Sequence, residues 1–202
     1  PDVGGSYFLP RCPGEVGMYL ALTGARLKIM DALYAGIATH FVPAARTQEL
    51  LNKLAEGTPF GWAVGQLVEN ATTAPLTQHR AAIDKCFSGG SVEDILSRLD
   101  AEGTEWAAET AKTMRTKSPT SLKITYRQIR DGKRLSFDDC MKMEFGMVNR
   151  IIAGHDFYEG VRAAIIEKDN APKWQPAELA GVTDKDVDAY FAPLKDELDL
   201  ST

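Results

Sequence analysis

Positive charge is in short supply: 23 Lys and Arg stand against 28 Asp and Glu, for a net charge of -5. The basic residues are scattered, so the chain lacks the field that nucleic-acid binding needs, and no nucleic-acid partner is expected. Cysteine is scarce too. Cys12, Cys86 and Cys140 lie far apart without metal-ligand spacing, which favours reduced thiols in a cytosolic or matrix compartment. His40, His79 and His155 are equally isolated, and no metal site is expected. No apolar run is long enough to span a bilayer, so no membrane partner is expected, and no signal-peptide pattern opens the chain. The missing initiator Met leaves a removed targeting segment open. Alternating strand patterns are nearly absent as well, apart from a short run at Thr39 to Val42 ended by Pro43.

What is present is mostly helix. An apolar share of 44% and a charged share of 25% describe an ordinary globular chain, and 202 residues suffice for one substantial domain. GEVGMYLALTG reads as a short buried helix ending at Gly24, and MDALYAGIATHFVP as a helix running into the short strand. Helical stripes follow at Leu50, Leu51 and Leu54; at Val92, Ile95, Leu96 and Leu99, with a capping box from Ser91 and Asp94; and at Trp106, Thr110 and Met114. Ser118-Pro119 begins a helix through Leu122, Tyr126 and Ile129. Ser136 with Asp139 begins the longest, whose apolar stripe runs Phe137, Met141, Val148 and Ile152 before Gly154. Asp156 and Glu159 read as a capping box for FYEGVRAAIIEKD, and Thr183 opens a last short helix through Val187, Tyr190 and Phe191. Thr58 to Pro75, interrupted by Gly, Thr and Pro, reads as a loop or hinge.

The opening PDVGGSYFLPR looks like a strand-to-helix junction, with glycines for unusual backbone angles and Asp2 either as a cap or as a chemical group. Among other candidates, Glu144 lies on a largely apolar helix, where Arg127 or Arg150 would pair with it. His40 (in the strand) and His155 (before a helix cap) read as structural, Met141, Met143 and Met147 as packing, and Cys12 as a small packed residue rather than a reactive thiol.

The blocks PDVGGSYFLPR, LALTGARLKIMDALYAGIATHFVP, SPTSLKITYRQIR and GHDFYEGVRAAIIEKDNAPKWQP resemble, in order and spacing, the 3-hydroxyisobutyryl-CoA hydrolases of the crotonase (enoyl-CoA hydratase/isomerase) superfamily. The resemblance implies the C-terminal half of an α/β crotonase (ClpP/crotonase-like) fold, with this chain predominantly helical. Residues 1–43 would close the core with the active-site turn, 44–176 would form a helical region covering the site, and 177–202 a tail. It also implies a missing N-terminal half of the same domain, holding most of the sheet, the oxyanion hole and a catalytic Glu upstream of Asp2.

By the same resemblance Asp2 is the second carboxylate of a catalytic pair, standing where hydratases tend to have Gly. One carboxylate would act as nucleophile or base while the other orients substrate and water or moves the proton. Lys168 matches a Lys that approaches the CoA phosphates, with Ile165 where hydratases have an aromatic near the adenine; its bland alternative is a solvated Lys at a helix C-terminus. Arg162 reads as a structural partner of Glu159 or Asp156. The implied reaction takes 3-hydroxyisobutyryl-CoA to the hydroxy acid and CoA, a step of valine breakdown. It needs no cofactor, because CoA is part of the acyl-CoA substrate. The isolated chain is expected to be inactive. Alternatives are a hydratase or isomerase of the same superfamily, or a non-catalytic assembly subunit. A homo-oligomer stays open, and the compartment would be bacterial cytoplasm or mitochondrial matrix.

Overall fold

The computed structural model describes residues 1–69 and 73–200. Its elements are α1 (Gly5–Phe8), α2 (Val16–Thr23), α3 (Ile29–Tyr34), α4 (Thr47–Ala55), α5 (Phe60–Gly65), α6 (Arg80–Phe87), α7 (Val92–Glu102), α8 (Glu105–Arg115), α9 (Pro119–Gly132), α10 (Phe137–Ile151), α11 (His155–Val161) and α12 (Asp184–Phe191). They group by packing into two units, one of residues 1–25 and 82–202 and the other of residues 26–81. The grouping is one of packing and leaves the functional division at residues 43 and 176 open.

In the larger unit α2 is the hub. Val16, Met18, Leu20 and Leu22 are all buried, because α2 packs against both α8 and α9 and has no face to spare for polar residues. Gly17 allows this: a Cβ there would lie 1.7 Å from the Leu9 carbonyl oxygen. Gly24 ends the helix in the left-handed conformation (φ 68°), as a C-terminal Gly should. Around α2, α7 buries Val92, Ile95, Leu96 and Leu99, and α8 buries Ala107, Thr110 and Met114. Tyr19 stacks edge-on against Phe87 at 5.5 Å between ring centres.

The starts of these helices are written locally. Ser91, Thr104, Ser118, Ser136 and Thr183 each accept a hydrogen bond from the backbone N–H three residues on, worth about 1 kcal/mol apiece. The box expected at Ser91 is only half formed, since Asp94 takes the Gly90 N–H instead. Asp156 and Glu159 form no box. Gly154 holds the N-cap position of α11, while Asp156 accepts from the Ser118 hydroxyl (2.5 Å) and the Gln175 N–H (2.8 Å).

The stripe assigned to α10 also needs correction. Phe137, Val148 and Ile152 are exposed, and the buried face is Cys140, Glu144 and Met147. The helix is rotated so that a carboxylate, rather than its bulkiest apolar side chains, points inward.

The smaller unit contains α3, α4 and α5. Asp31 of α3 accepts the Leu76 N–H at 2.8 Å, and Arg80 donates to the Tyr34 hydroxyl at 3.0 Å. The strand expected at Thr39 to Val42 does not form. Among the described residues Phe41 offers its carbonyl to a single N–H, that of Glu69, and a strand needs a neighbour's ladder. His40 is therefore in irregular, exposed chain. The expected loop over 58–75 contains α5, and its residues 70–72 lie outside the described residues. Among the described residues there is no strand, and no helix is long and apolar enough to cross a membrane.

Candidate active site

The PDVGGS turn is gripped mainly at its backbone atoms. Val3 (φ 46°) and Gly4 (φ 88°) are both left-handed. Gly4 adopts this freely, but a β-branched Val does so at a cost of about 1–3 kcal/mol, and something outside the turn has to hold it. Val3 is 90% exposed, so its own side chain does not.

The grip comes from α9 and α10. Glu144, only 9% exposed, accepts the Gly4 N–H through Oε2 at 3.0 Å and the Ser6 N–H through Oε1 at 2.8 Å. Gln128 donates from Nε2 to the Pro1 carbonyl at 2.6 Å and to the Ser6 hydroxyl at 2.5 Å. The carbonyl can only accept, which fixes that amide's orientation and leaves the buried Oε1 without a partner among the described residues. At the end of α9, Gly132 lets the Ser6 carbonyl come so close that a Cβ would sit 2.1 Å from its oxygen. Within the turn, the Gly5 N–H closes on the Asp2 carbonyl at 2.8 Å.

The Asp2 carboxylate, by contrast, has no hydrogen bond or ion pair among the described residues. It lines a cavity of about 330 Å³ whose walls include Glu144, Met147, Val148, Ile151 and Phe157. A fixed backbone carrying an uncommitted carboxylate at the wall of a cavity is suited to proton transfer or to orienting water.

Lys168 is placed differently. After α11 the chain makes a π-helical turn over Arg162–Ile166, with the Glu167 N–H donating to the Arg162 carbonyl at 2.8 Å. Lys168 follows at φ 58°, beyond the helix rather than completing its C-terminus. Arg162 clamps the segment: it donates to Glu159 at 2.8 and 2.9 Å, to Asp169 at 2.7 Å, to Glu167, and to the Ala171 carbonyl at 3.2 Å. The partner expected at Asp156 is not used. Hydrogen bonds from this guanidinium hold the Glu159 carboxyl down to about 2 and push Arg162 itself upward. Lys168 is exposed, with no ion pair among the described residues, and is not a wall of the cavity that Asp2 lines. Ile165 is exposed beside it.

The remaining candidates have plain roles. His155 is the first residue of α11 and meets Asp156 at 3.0 Å on the surface. Cys12 is buried, which pushes its thiol up and away from reactivity. Met147 is buried and Met141 and Met143 are half-buried, so the three fill space. Glu144 is buried as its position on an apolar helix suggested, but its partners are backbone amides. Arg127 pairs with Asp131 and Asp188, and Arg150 donates to the Ala192 and Pro193 carbonyls. Sequence reasoning missed Gln128 and Gly132; a polar residue and a Gly on the apolar side of α9 were the available signals. Among the described residues no three His, Cys, Asp or Glu gather as a metal ion would need.

The sequence pattern of the enoyl-CoA hydratase/isomerase family matches residues 1–191. The chain is 44% identical over 210 residues to the mitochondrial 3-hydroxyisobutyryl-CoA hydrolase of Danio rerio, covering 99% of this chain and 55% of the relative. To the Homo sapiens protein of the same name it is 42% identical over 204 residues, covering 96% and 53%. It thus spans about half the length of the curated relatives it matches. Among solved structures, a carnitinyl-CoA dehydratase from Mycobacterium thermoresistibile superposes with a TM-score of 0.92 at 38% identity, over 98% of this chain and 57% of that one. An enoyl-CoA hydratase from Rhodobacter sphaeroides 2.4.1 gives 0.83 at 36%, over 96% and 56%. The backbone is therefore a helical portion of the crotonase fold, and the chain belongs to the enoyl-CoA hydratase/isomerase family.

Proposed function

We propose that the chain is the C-terminal half of an α/β crotonase-fold enzyme that hydrolyses 3-hydroxyisobutyryl-CoA to 3-hydroxyisobutyrate and CoA, with Asp2 as a catalytic carboxylate. The observation that carries this reading is the Asp2 turn: a clamped, left-handed backbone presenting an unpaired carboxylate to a cavity of mixed polar and apolar lining. The identity to hydrolases, whose printed names give this substrate, supports the choice of acyl group.

In the proposed reaction water supplies OH to the thioester carbonyl carbon and a proton to the departing CoA sulfur. Asp2 orients the water or moves its proton, paired with a second carboxylate contributed from outside these 202 residues. Backbone N–H groups, also from outside, carry the negative charge that develops on the thioester oxygen. Lys168 meets the CoA phosphates as a point charge. No cofactor is called for, because CoA enters with the substrate. The mitochondrial names of the relatives support a matrix location in a eukaryote.

The test is thiol release from 3-hydroxyisobutyryl-CoA by the intact gene product and its Asp2→Asn and Asp2→Gly variants. A loss of about 10²–10⁴-fold in kcat is expected from removing a proton-transferring group. Activity retained in both variants, or crotonyl-CoA hydration as the faster reaction, would sink the proposal. A polypeptide confined to residues 1–202 is expected to release no thiol above background.

A further inference from the structure

The geometry points to Glu144 as a positioning residue for Asp2, holding the reactive turn in its left-handed form through two backbone amides. This inference rests on the catalytic reading of Asp2.

Glu144 is a buried carboxylate whose described bonds go to no cation. Its two oxygens are spent on the N–H groups of Gly4 and Ser6, at 3.0 and 2.8 Å, which lie more than a hundred residues away in the chain. Those amides flank Gly5, whose own N–H returns to the Asp2 carbonyl, so the fork sets the rotation of the peptide planes that aim Asp2. Val3 sits between Asp2 and Gly4 at φ 46°, a conformation a β-branched residue leaves when it can. Glu144 also lines the cavity that Asp2 lines, so the clamp and the reactive group share one wall.

The residue type is needed as well as the contact. A Gln can accept one of the two N–H groups through its oxygen, but its NH₂ then faces the other donor. Glu144→Gln therefore keeps size and burial while breaking one arm of the fork. Placement of a reacting group is what such a change alters, and a misplacement of about 1 Å from a distant residue can cost about a hundredfold in rate.

The experiment uses the intact gene product. Wild type, Glu144→Gln, Asp2→Asn and a packing control, Met114→Ala in α8, are compared for kcat and KM on 3-hydroxyisobutyryl-CoA and for amide hydrogen exchange over residues 2–8. Glu144→Gln is expected to lower kcat about a hundredfold with KM nearly unchanged, and to speed exchange at Gly4 and Ser6. Met114→Ala is expected to lower thermal stability and leave kcat near wild type. A Glu144→Gln enzyme with wild-type kcat, or with losses no larger than those of Met114→Ala, overturns the positioning role while Asp2→Asn still reports on the functional reading. An Asp2→Asn enzyme that keeps full activity overturns that reading and the positioning role with it. If Glu144→Gln fails to fold, exchange in the wild type decides: Gly4 and Ser6 amides that exchange as fast as an open loop overturn the clamp.

Discussion

Two segments carry the groups proposed to meet the acyl-CoA, and they are held in opposite ways. The Asp2 turn is gripped by residues distant in sequence: Glu144, Gln128 and the bare Cα of Gly132. The Lys168 segment is gripped by its neighbour Arg162, whose partners among the described residues fall between Glu159 and Ala171. A carboxylate that must meet a reacting atom needs its backbone fixed in three dimensions, which only separate elements converging on it can provide. A flexible Lys that meets phosphate as a point charge needs only its base held near, and a local ion network suffices.

The largest break in this contrast is expected from Gly132→Ala. The added Cβ meets a backbone oxygen rather than a side chain that could swing away, so α9 and the Asp2 turn must separate. Urea denaturation should show a loss of about 3 kcal/mol or more, and kcat should fall with it. A Gly132→Ala protein of unchanged midpoint and activity would mean that the turn is not seated on α9.

Lys168→Ala should act only on binding. Losing one charge-assisted contact should raise KM for the acyl-CoA about tenfold, with kcat and the urea midpoint unchanged. An unchanged KM would return Lys168 to the role of a solvated surface charge.

The smallest effect sharpens the local side of the comparison. The Glu159 carboxyl is lowered from 4.5 in the unfolded chain to about 2 by its hydrogen bond with Arg162. A depressed carboxyl stabilises the folded state fully above about pH 4.5, and that contribution disappears as pH falls toward 2. Glu159→Gln should therefore be less acid-sensitive than wild type in that window and little different in its pH dependence at neutrality, as measured by unfolding midpoints against pH. Because the network is local, hydrogen exchange at the Asp2 turn should not follow the change. A parallel change at Gly4 and Ser6 would show that the two segments are coupled after all.

What could be read in advance follows the same divide between local and distant. Helix starts were legible because a cap acts within three residues, as at Ser118, Ser136 and Thr183. Arg162 and Glu159 were legible as partners because they share one turn of helix. The half-formed box at Ser91 and the failed one at Asp156 show the limit, since in both cases the acidic side chain found a backbone N–H outside the expected pair. The strand at Thr39 to Val42 failed for want of a neighbour to pair with, which its own alternation could not reveal.

The sequence alone determined the helix starts at Ser118, Ser136 and Thr183, the helix end at Gly24, the Gly-rich turn and the resemblance that singled out Asp2 and Lys168. All of these are set by near neighbours or by residue type. The tertiary structure decided the face of α10 that turns inward, and with it the destination of the Glu144 carboxylate. A periodic stripe of Phe137, Met141, Val148 and Ile152 suggested one buried face, yet Met141 is only half-buried and the helix buries Cys140, Glu144 and Met147. The reason is that two amides in the Asp2 turn, far away in the chain, need acceptors at that place, and no local pattern records where a distant N–H will lie.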